Sequence, residues 1–189
     1  MRYLSLILTL ILTLILTLIL TLILTLILTL IFAQLGYAGD SKHSSKESAE
    51  AFMQDYLDGY EKYLTGGSDA DVTLVTEHFS EPMVMMPPSG PAPMATHEDF
   101  APNIKYFLDN ALKKKGVVKL EWAKLQMTIL SDTQALASGL ANALDKNGKT
   151  VEQRASIYIL TKSKKGWVVS VNLPHSPSMV PTLTAATVN

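Results

Sequence analysis

The N-terminal part of the chain is one apolar tetrapeptide repeated without interruption. Residues 5–32 read Ser-Leu-Ile-Leu once, Thr-Leu-Ile-Leu five times and Thr-Leu-Ile-Phe once, with no charged residue, proline or glycine. As a helix rising about 1.5 Å per residue, this segment would extend for about 42 Å, which exceeds the roughly 30 Å hydrocarbon core of a bilayer. The repeat therefore predicts a membrane-directed leader that is separate from the folded domain.

Two interpretations of residues 1–38 remain open, a cleaved signal peptide and a retained signal-anchor. Arg2 provides a small positive n-region, and the small-x-small sequence ending at Ala38 fits a signal peptidase site, with Ala33 as a second candidate. Against cleavage, the apolar stretch is much longer than the usual h-region of about 7–15 residues. In both cases we expect the remaining chain to be exported, periplasmic or secreted, and to meet the membrane only through this segment.

The composition excludes several classes of site and partner. The chain has no cysteine, which excludes disulfides, thiolate zinc sites, a cysteine nucleophile and lipid attachment through a lipobox. No two histidines have metal-ligand spacing, and no phosphate loop, nucleophile elbow or Rossmann glycine pattern is present, so neither a metal nor a cofactor is predicted. From Gly39 onward there are 15 basic and 17 acidic residues, and this net charge of −2 argues against a nucleic-acid partner.

Hydrophobic periodicity predicts two helices after a polar linker over residues 39–46. Ser44 and Glu47 have capping-box spacing, which starts a helix near this point, and a glycine pair at 66–67 ends it. Its apolar residues recur at steps of three and four, as expected for one buried helical stripe: Ala49, Phe52, Met53, Tyr56, Tyr60, Tyr63 and Leu64. A second, shorter helix is predicted over residues 71–79.

A short strand, a turn and a longer helix follow. Residues 83–86 are predicted to form a strand, and the proline-rich residues 87–91 form a turn or an edge, since proline cannot pair within a central strand. The next helix begins either at a capping box headed by Thr96 or at Pro102, which fits a first helical turn. It is expected to end at three lysines before Gly116, because cations and a following glycine both favour a helix C-terminus.

Polar and apolar residues then alternate with a period of two, which predicts strands. In the strand that starts at Val117, the apolar parity switches between Trp122 and Leu125, so a β-bulge is expected near Ala123. Further strands are predicted over residues 133–144, 151–162 and 167–173. The first two of these are joined by a hairpin turn in which the Asn147-Gly148 pair suits positive φ. Long antiparallel strands after helices predict an α+β domain whose helices pack on one face of a curved sheet.

The order of these elements resembles the nuclear transport factor 2-like superfamily over roughly residues 47–175. The resemblance also rests on His78-Phe79 before the short strand and on Gly166-Trp167-Val168-Val169 at the start of the last one. It implies a cystatin-like cone, in which a bent antiparallel sheet wraps helices around a pocket, with residues 176–189 as a tail. The superfamily includes SnoaL-like polyketide cyclases, ketosteroid isomerase, dehydratases and many non-catalytic binding domains, often dimeric, so the fold alone does not decide the function.

One face of the predicted strand over residues 133–144 carries only small side chains. The residues on that face are Ala135, Ala137, Gly139, Ala141 and Ala143. A row of small side chains leaves space above a sheet. That space is either the floor of a pocket or the place where a helix packs closely.

Two histidines are candidates for acid–base catalysis, because an imidazole titrates near neutral pH. His78 precedes the short strand, where the resemblance implies a pocket mouth; its alternative role is a helix-end histidine bonded to solvent or to a carbonyl group. His175 follows the last strand, and its alternative role is an exposed tail residue. The acidic residues that ketosteroid isomerase uses have no counterpart here, so its catalytic set is not carried over.

Six residues are candidates for ligand binding: Tyr56, Tyr60, Met85, Trp122, Arg154 and Tyr158. The tyrosine hydroxyls can donate hydrogen bonds into a pocket, and Met85 belongs to a soft apolar wall. Arg154 shares a strand face with Glu152 and can bind a carboxylate through two hydrogen bonds, or form a salt bridge instead. Ser170 and Asn172 are expected to give a similar polar face on the last strand.

Three functions fit these observations. The first is an exported, non-catalytic domain that binds a small apolar or polyketide-like organic molecule and forms a homodimer; the missing acid–base pair favours it. The second is a lyase or isomerase of the SnoaL-like kind, in which His78 is the general base and a tyrosine or Arg154 polarises the substrate. The third is a membrane-anchored subunit that dimerises or assembles through the open face of its sheet.

Overall fold

A computed structural model describes residues 45–67 and 70–183. The leader, both candidate cleavage sites, the linker up to the Ser44 cap and the end of the tail lie outside these residues. Within the described ranges, no helix has both the length and the hydropathy needed to cross a membrane.

Helix α1 occupies residues 45–65 and lies on the sheet through the predicted stripe, whose members are almost fully buried except for the half-buried Phe52. Gly59 marks the place where the next helix crosses it, because a Cβ there would lie 2.3 Å from the carbonyl oxygen of Leu74. The predicted second helix over 71–79 is too long, since α2 comprises only Thr73–Thr76. His78 lies in a turn after α2, where its N–H donates to the carbonyl oxygen of Val75, and a strand begins at Phe79. The Val169 N–H donates to the carbonyl oxygen of His78 at 2.8 Å.

The next two strands form one edge of the sheet. Strand β1 runs over Phe79–Met85 and includes most of the predicted strand, and β2 runs over Ala92–Met94 as the outermost strand. A turn closed by the Gly90 N–H on the carbonyl oxygen of Pro87 joins them, as predicted for this proline-rich stretch. Pro93 fits an edge strand because it has no N–H to donate.

Helix α3 spans His97–Phe107 and begins at a capping box headed by Thr96, so the alternative start at Pro102 is wrong. The helical path continues through a π turn over Leu108–Leu112 and a 3-10 turn over the three lysines. It ends at Gly116 with φ of 76°, the left-handed conformation that favours glycine.

Four long strands complete the sheet: β3 (Val117–Ser131), β4 (Gln134–Asp145), β5 (Thr150–Ser163) and β6 (Gly166–His175). The strand order is β2-β1-β6-β5-β4-β3, with every neighbouring pair antiparallel except β1 and β6, which are parallel. The predicted α+β class is confirmed: a curved, unclosed sheet carries the helices on one face. The predicted bulge is confirmed too, because the β3–β4 register shifts between Trp122 and Lys124. In the β4–β5 hairpin, however, only the glycine of the Asn147-Gly148 pair has positive φ.

Two tryptophans attach α1 to the inner face of the sheet, the face that carries the helices. The indole N–H of Trp122 donates to the carbonyl oxygen of Met53 at 3.2 Å, and that of Trp167 donates to the Ser48 hydroxyl at 3.0 Å. The ring of Trp122 covers Gly139, where a Cβ would lie 2.4 Å from a ring carbon. The small face of β4 therefore makes room for an aromatic side chain that holds the helix.

The segment after β6 crosses the outer face of the sheet, the face that points away from α1. The hydroxyl of Ser138 on β4 is fully buried and donates to the carbonyl oxygen of Pro181 at 3.1 Å. The N–H of Leu183 donates to the side-chain oxygen of Gln126 on β3. The tail thus covers part of a face that would otherwise be open.

We predict that Gly139→Ala lowers the free energy of unfolding by about 1–3 kcal/mol, because the added methyl group would overlap the Trp122 ring. Urea unfolding monitored by tryptophan fluorescence measures the change. Gly67→Ala is the matched control, since a Cβ at Gly67 meets nothing within 4 Å. Equal stability of the two variants would show that Trp122 does not pack on β4 in this way.

Candidate functional site

A cavity of about 710 Å³ lies between the helices and the inner face of the sheet. This volume is in the range of cavities that enclose small organic ligands. Much of its wall is apolar, including Leu57, Phe79, Met94, Phe100, Ile104 and Leu120. All six residues predicted to bind a ligand line this cavity: Tyr56, Tyr60, Met85, Trp122, Arg154 and Tyr158. Ala141 lines it as well, so the small face of β4 serves both the cavity and the contact with Trp122.

Three tyrosines form a buried aromatic cluster in the wall. Tyr56 and Tyr60 are one helical turn apart on α1, and their hydroxyl oxygens are 2.9 Å apart. The ring of Tyr158, from β5, meets the Tyr56 ring edge-on at 5.8 Å between centroids. Burial raises the pKa of Tyr158 to about 12 and raises the pKa values of Tyr56 and Tyr60 well above their usual range. All three hydroxyls therefore remain protonated at neutral pH, and one hydroxyl of the Tyr56–Tyr60 pair donates to the other.

Arg154 lies at another part of the wall and is held in place from two sides. Its guanidinium carbon is 4.5 Å from the centre of the Phe107 ring, at stacking distance. Its Nε donates to Oε1 of Glu152 at 2.6 Å, and Nζ of Lys115 contacts the other carboxylate oxygen. Burial favours the neutral form of Glu152, but the hydrogen bonds from Lys115 and Arg154 outweigh it and lower the pKa of this carboxyl group.

Three buried polar atoms lack a hydrogen-bond partner among the described residues: one is Nδ1 of His78, and the other two belong to residues of the cavity wall. The first is Oδ1 of Asn172, whose residue is 7% exposed and pairs across strands with Tyr158 on the inner face. The second is Nε2 of His175. Because Nδ1 of His175 lies 2.9 Å from the carbonyl oxygen of Ser176, which can only accept, Nδ1 carries the proton and Nε2 presents a lone pair. Both residues line the cavity.

Sequence reasoning did not single out Asn172. It grouped Asn172 with Ser170 on one face, but the β5–β6 register shifts between these two positions. The Ser170 hydroxyl instead lies 2.5 Å from the hydroxyl of Thr161. No local pattern indicates this shift, so the strand parity alone could not separate the two residues.

His78 does not line the cavity. Its Nε2 is 3.2 Å from a carboxylate oxygen of Asp55 on the outside of α1, and its ring packs beside those of Phe52 and Tyr56. His78 therefore touches one of the six cavity residues, Tyr56, but does not line the cavity with them or with His175. Its catalytic role stays a prediction, as does ligand binding by the six residues. In the described ranges, no three histidine or acidic side chains come together as a metal site.

Comparison with known families identifies the family of this chain. A profile of the family described as NTF2-like protein (DUF6841) matches residues 46–177. The chain belongs to this NTF2-like family. No curated protein matches it.

Solved structures share the NTF2-like fold at low sequence identity. A domain of unknown function with a cystatin-like fold from Nostoc punctiforme is 16% identical, with 75% of this chain and 79% of that chain covered and a TM-score of 0.53. An NTF2-like protein with a cystatin-like fold from Novosphingobium aromaticivorans is 13% identical, with 69% and 80% covered and a TM-score of 0.53. The association domain of CaMKII from C. elegans is 18% identical, with 72% and 99% covered and a TM-score of 0.51. These likenesses establish the fold and leave the function open.

We predict that the tyrosine cluster makes stability fall between pH 10 and pH 12. An unfolded tyrosine ionises near pH 10, whereas folded Tyr158 keeps its proton until about pH 12. Unfolding in this window releases protons, so rising pH favours the unfolded chain. Tyr158→Phe should reduce the slope of stability against pH by about 1.4 kcal/mol per pH unit. Urea unfolding of the wild-type protein and of Tyr158→Phe at several pH values measures the slope of stability against pH. Their slopes should agree between pH 7 and pH 9, and equal slopes above pH 10 would contradict the prediction.

Proposed function

We propose that this NTF2-like domain binds a small, largely apolar organic molecule in its cavity and does not catalyse a reaction on it. The observation that carries the proposal is the pair of buried polar atoms without partners, on Asn172 and His175, in the wall of an otherwise mostly apolar cavity. A buried polar atom without a partner costs about 1–3 kcal/mol. A ligand that supplies hydrogen-bond donors to these atoms would remove that cost.

The chemistry of the wall supports binding over catalysis. The tyrosine hydroxyls resist ionisation because they are buried. Glu152 is held as a carboxylate by two cations and is a poor proton acceptor. His78, the base that a lyase or isomerase would need, does not line the cavity. The His175 imidazole is then left without an acid–base partner in the wall.

We predict that Asn172→Leu raises the free energy of unfolding by about 1–2 kcal/mol, because it removes a buried amide oxygen without a partner. The same change should weaken the retention of a co-purified small molecule, since the ligand loses an acceptor. Urea unfolding measures the first effect, and native mass spectrometry of the purified protein measures the second.

Ser138→Ala is the matched control for this experiment. The Ser138 hydroxyl is also buried, but it has a partner in Pro181, so its loss should lower stability by about 1 kcal/mol. If Asn172→Leu and Ser138→Ala were both less stable than the wild-type protein, this would contradict the proposal that Asn172 bonds a ligand. Turnover of a small ketone or polyketide-like substrate that disappears in His78→Ala would replace the binding proposal with the lyase or isomerase alternative.

We further propose that the domain forms a homodimer through its outer face. Six aliphatic residues on that face are only half-buried in the single chain: Leu136, Leu140, Ile157, Ile159, Val171 and Leu173. A contiguous apolar area of this kind is typical of an interaction surface. The C. elegans domain of the same fold is described as an association domain, which agrees with this proposal.

We predict that Ile159→Lys shifts the protein from dimer to monomer, because a lysine at the centre of the outer face would be buried without a partner charge. Sedimentation velocity measures the oligomeric state. Tyr106→Lys is the control, because Tyr106 on α3 is 71% exposed and lies away from this face. A wild-type protein that remains monomeric at high concentration would contradict the proposal.

The leader also bears on where the protein works in the cell. We infer from the apolar repeat that the domain works outside the cytoplasmic membrane, either released or anchored as an assembly subunit. The mass of the protein isolated from its host distinguishes a cleaved leader from a retained one. Recovery of the intact chain from the cytosol would contradict export.

A further inference from the structure

We propose that the ligand of the cavity is an organic acid, whose carboxylate binds Arg154 and whose other end carries a hydroxyl group that bonds Asn172. This inference rests on the proposed binding function and adds the chemical class of the ligand. It follows from the charges at one part of the cavity wall, from the unpartnered amide oxygen of Asn172 at another and from the distance between them.

The Arg154 end of the cavity has an excess of positive charge. Two cations, Arg154 and Lys115, share the single carboxylate of Glu152. An anionic group on a ligand would balance the remaining charge.

The guanidinium of Arg154 is arranged to receive a carboxylate. Its Nε and Nη2 both contact the same oxygen of Glu152, at 2.6 and 2.5 Å. These contacts use the edge formed by Nε and Nη2, so the edge formed by Nη1 and Nη2 still has donors for the two parallel hydrogen bonds that a carboxylate can accept. Stacking on Phe107 fixes the plane, so less side-chain freedom is lost on binding.

Glu152 acts in this arrangement as an internal counter-ion for the empty cavity. It lies two residues before Arg154 and therefore on the same face of β5. Its second oxygen already contacts Lys115, so it keeps a partner if a ligand draws Arg154 away. Removal of its negative charge should consequently strengthen the binding of an acid.

The strand register sets the distance to the polar group at the other end. Asn172 pairs with Tyr158, which is four residues beyond Arg154 on β5. At a rise of about 3.3 Å per residue, the two positions are about 13 Å apart along the strand. Ala141 pairs with Arg154 and with Trp122, and its small side chain leaves space for an apolar ligand body beside the indole ring. A hydroxyl at the far end can donate to Oδ1 of Asn172 and accept from a tyrosine.

The test compares rigid probes that differ in one group. 6-Hydroxy-2-naphthoate carries a carboxylate and a hydroxyl at opposite ends, the corresponding 2-hydroxymethyl alcohol lacks the charge, and 2-naphthoate lacks the hydroxyl. Fluorescence titration of the purified protein gives each dissociation constant. We expect the hydroxy acid to bind about tenfold more tightly than the alcohol, as a charge-assisted pair of hydrogen bonds would provide.

Three variants assign that preference to residues. Arg154→Gln should abolish the preference for the acid over the alcohol, whereas Glu152→Gln should increase it. Asn172→Leu should abolish the preference for 6-hydroxy-2-naphthoate over 2-naphthoate. Lys162→Gln is the control for general charge, since Lys162 lies eight residues from Arg154 on the same strand and is not part of the cavity wall. Arg154→Gln and Glu152→Gln should change the preference for the acid in opposite directions. Misfolding of the variants would weaken binding in both and could not produce this result.

The outcomes separate this inference from the proposed function. Equal binding of acid and alcohol by the wild-type protein would overturn the inference, while binding itself would stand. Failure of every probe to bind saturably would also overturn it, and the retained molecule sought by native mass spectrometry would still test the binding function independently. A preference for the acid that survives Arg154→Gln would show that the anion binds elsewhere.

Discussion

The packing of Trp122 between β4 and α1 is the contact on which the rest of the domain depends. Its ring lies against Gly139, and its N–H bonds the backbone of α1 at Met53. A larger residue at 139 would displace the ring and, with it, the helix that carries Tyr56 and Tyr60. The inner face of β4 is small for this reason, and the space that remains beside the indole ring becomes part of the cavity. One constraint on side-chain size therefore sets both the position of the helix and the volume available to a ligand.

Local patterns predicted most of the fold because they reflect interactions between near neighbours. The period of two marked the long strands, and the switch of apolar parity located the bulge at Ala123 from the sequence alone. The capping box at Thr96 and the lysines before Gly116 fixed both ends of the main helical segment. Prediction from local patterns failed where residues that are distant in the sequence decide the conformation. Phe79 begins a strand instead of continuing the helix because it pairs with Val169 of β6, which lies 90 residues later in the chain.

The candidate site, like the fold, could be predicted from the sequence only in part. Aromatic and charged residues at regular spacing indicated a cavity wall, and the six residues chosen on that basis do line one cavity. The sequence could not show that Asn172 would face inward without a partner, because a register shift in β6 decides which side chains share its face. Nor could it show that His78 would turn toward Asp55. Asp55 lies on α1 and His78 in the turn after α2, and the crossing of these two helices depends on the close approach at Gly59.

The position of β6 in the sheet has a consequence for how the chain is made. This last strand lies between β1 and β5 and is the parallel partner of β1, so β1 and β2 join the main sheet only when β6 is present. Contacts between such distant parts of a sequence form late and slowly. During synthesis from the N-terminus, the sheet therefore stays divided until almost the whole domain has left the ribosome. A domain whose closing strand comes last thus cannot complete its fold until its translation is almost finished, and an incompletely folded polypeptide is the form that can be threaded through a narrow channel.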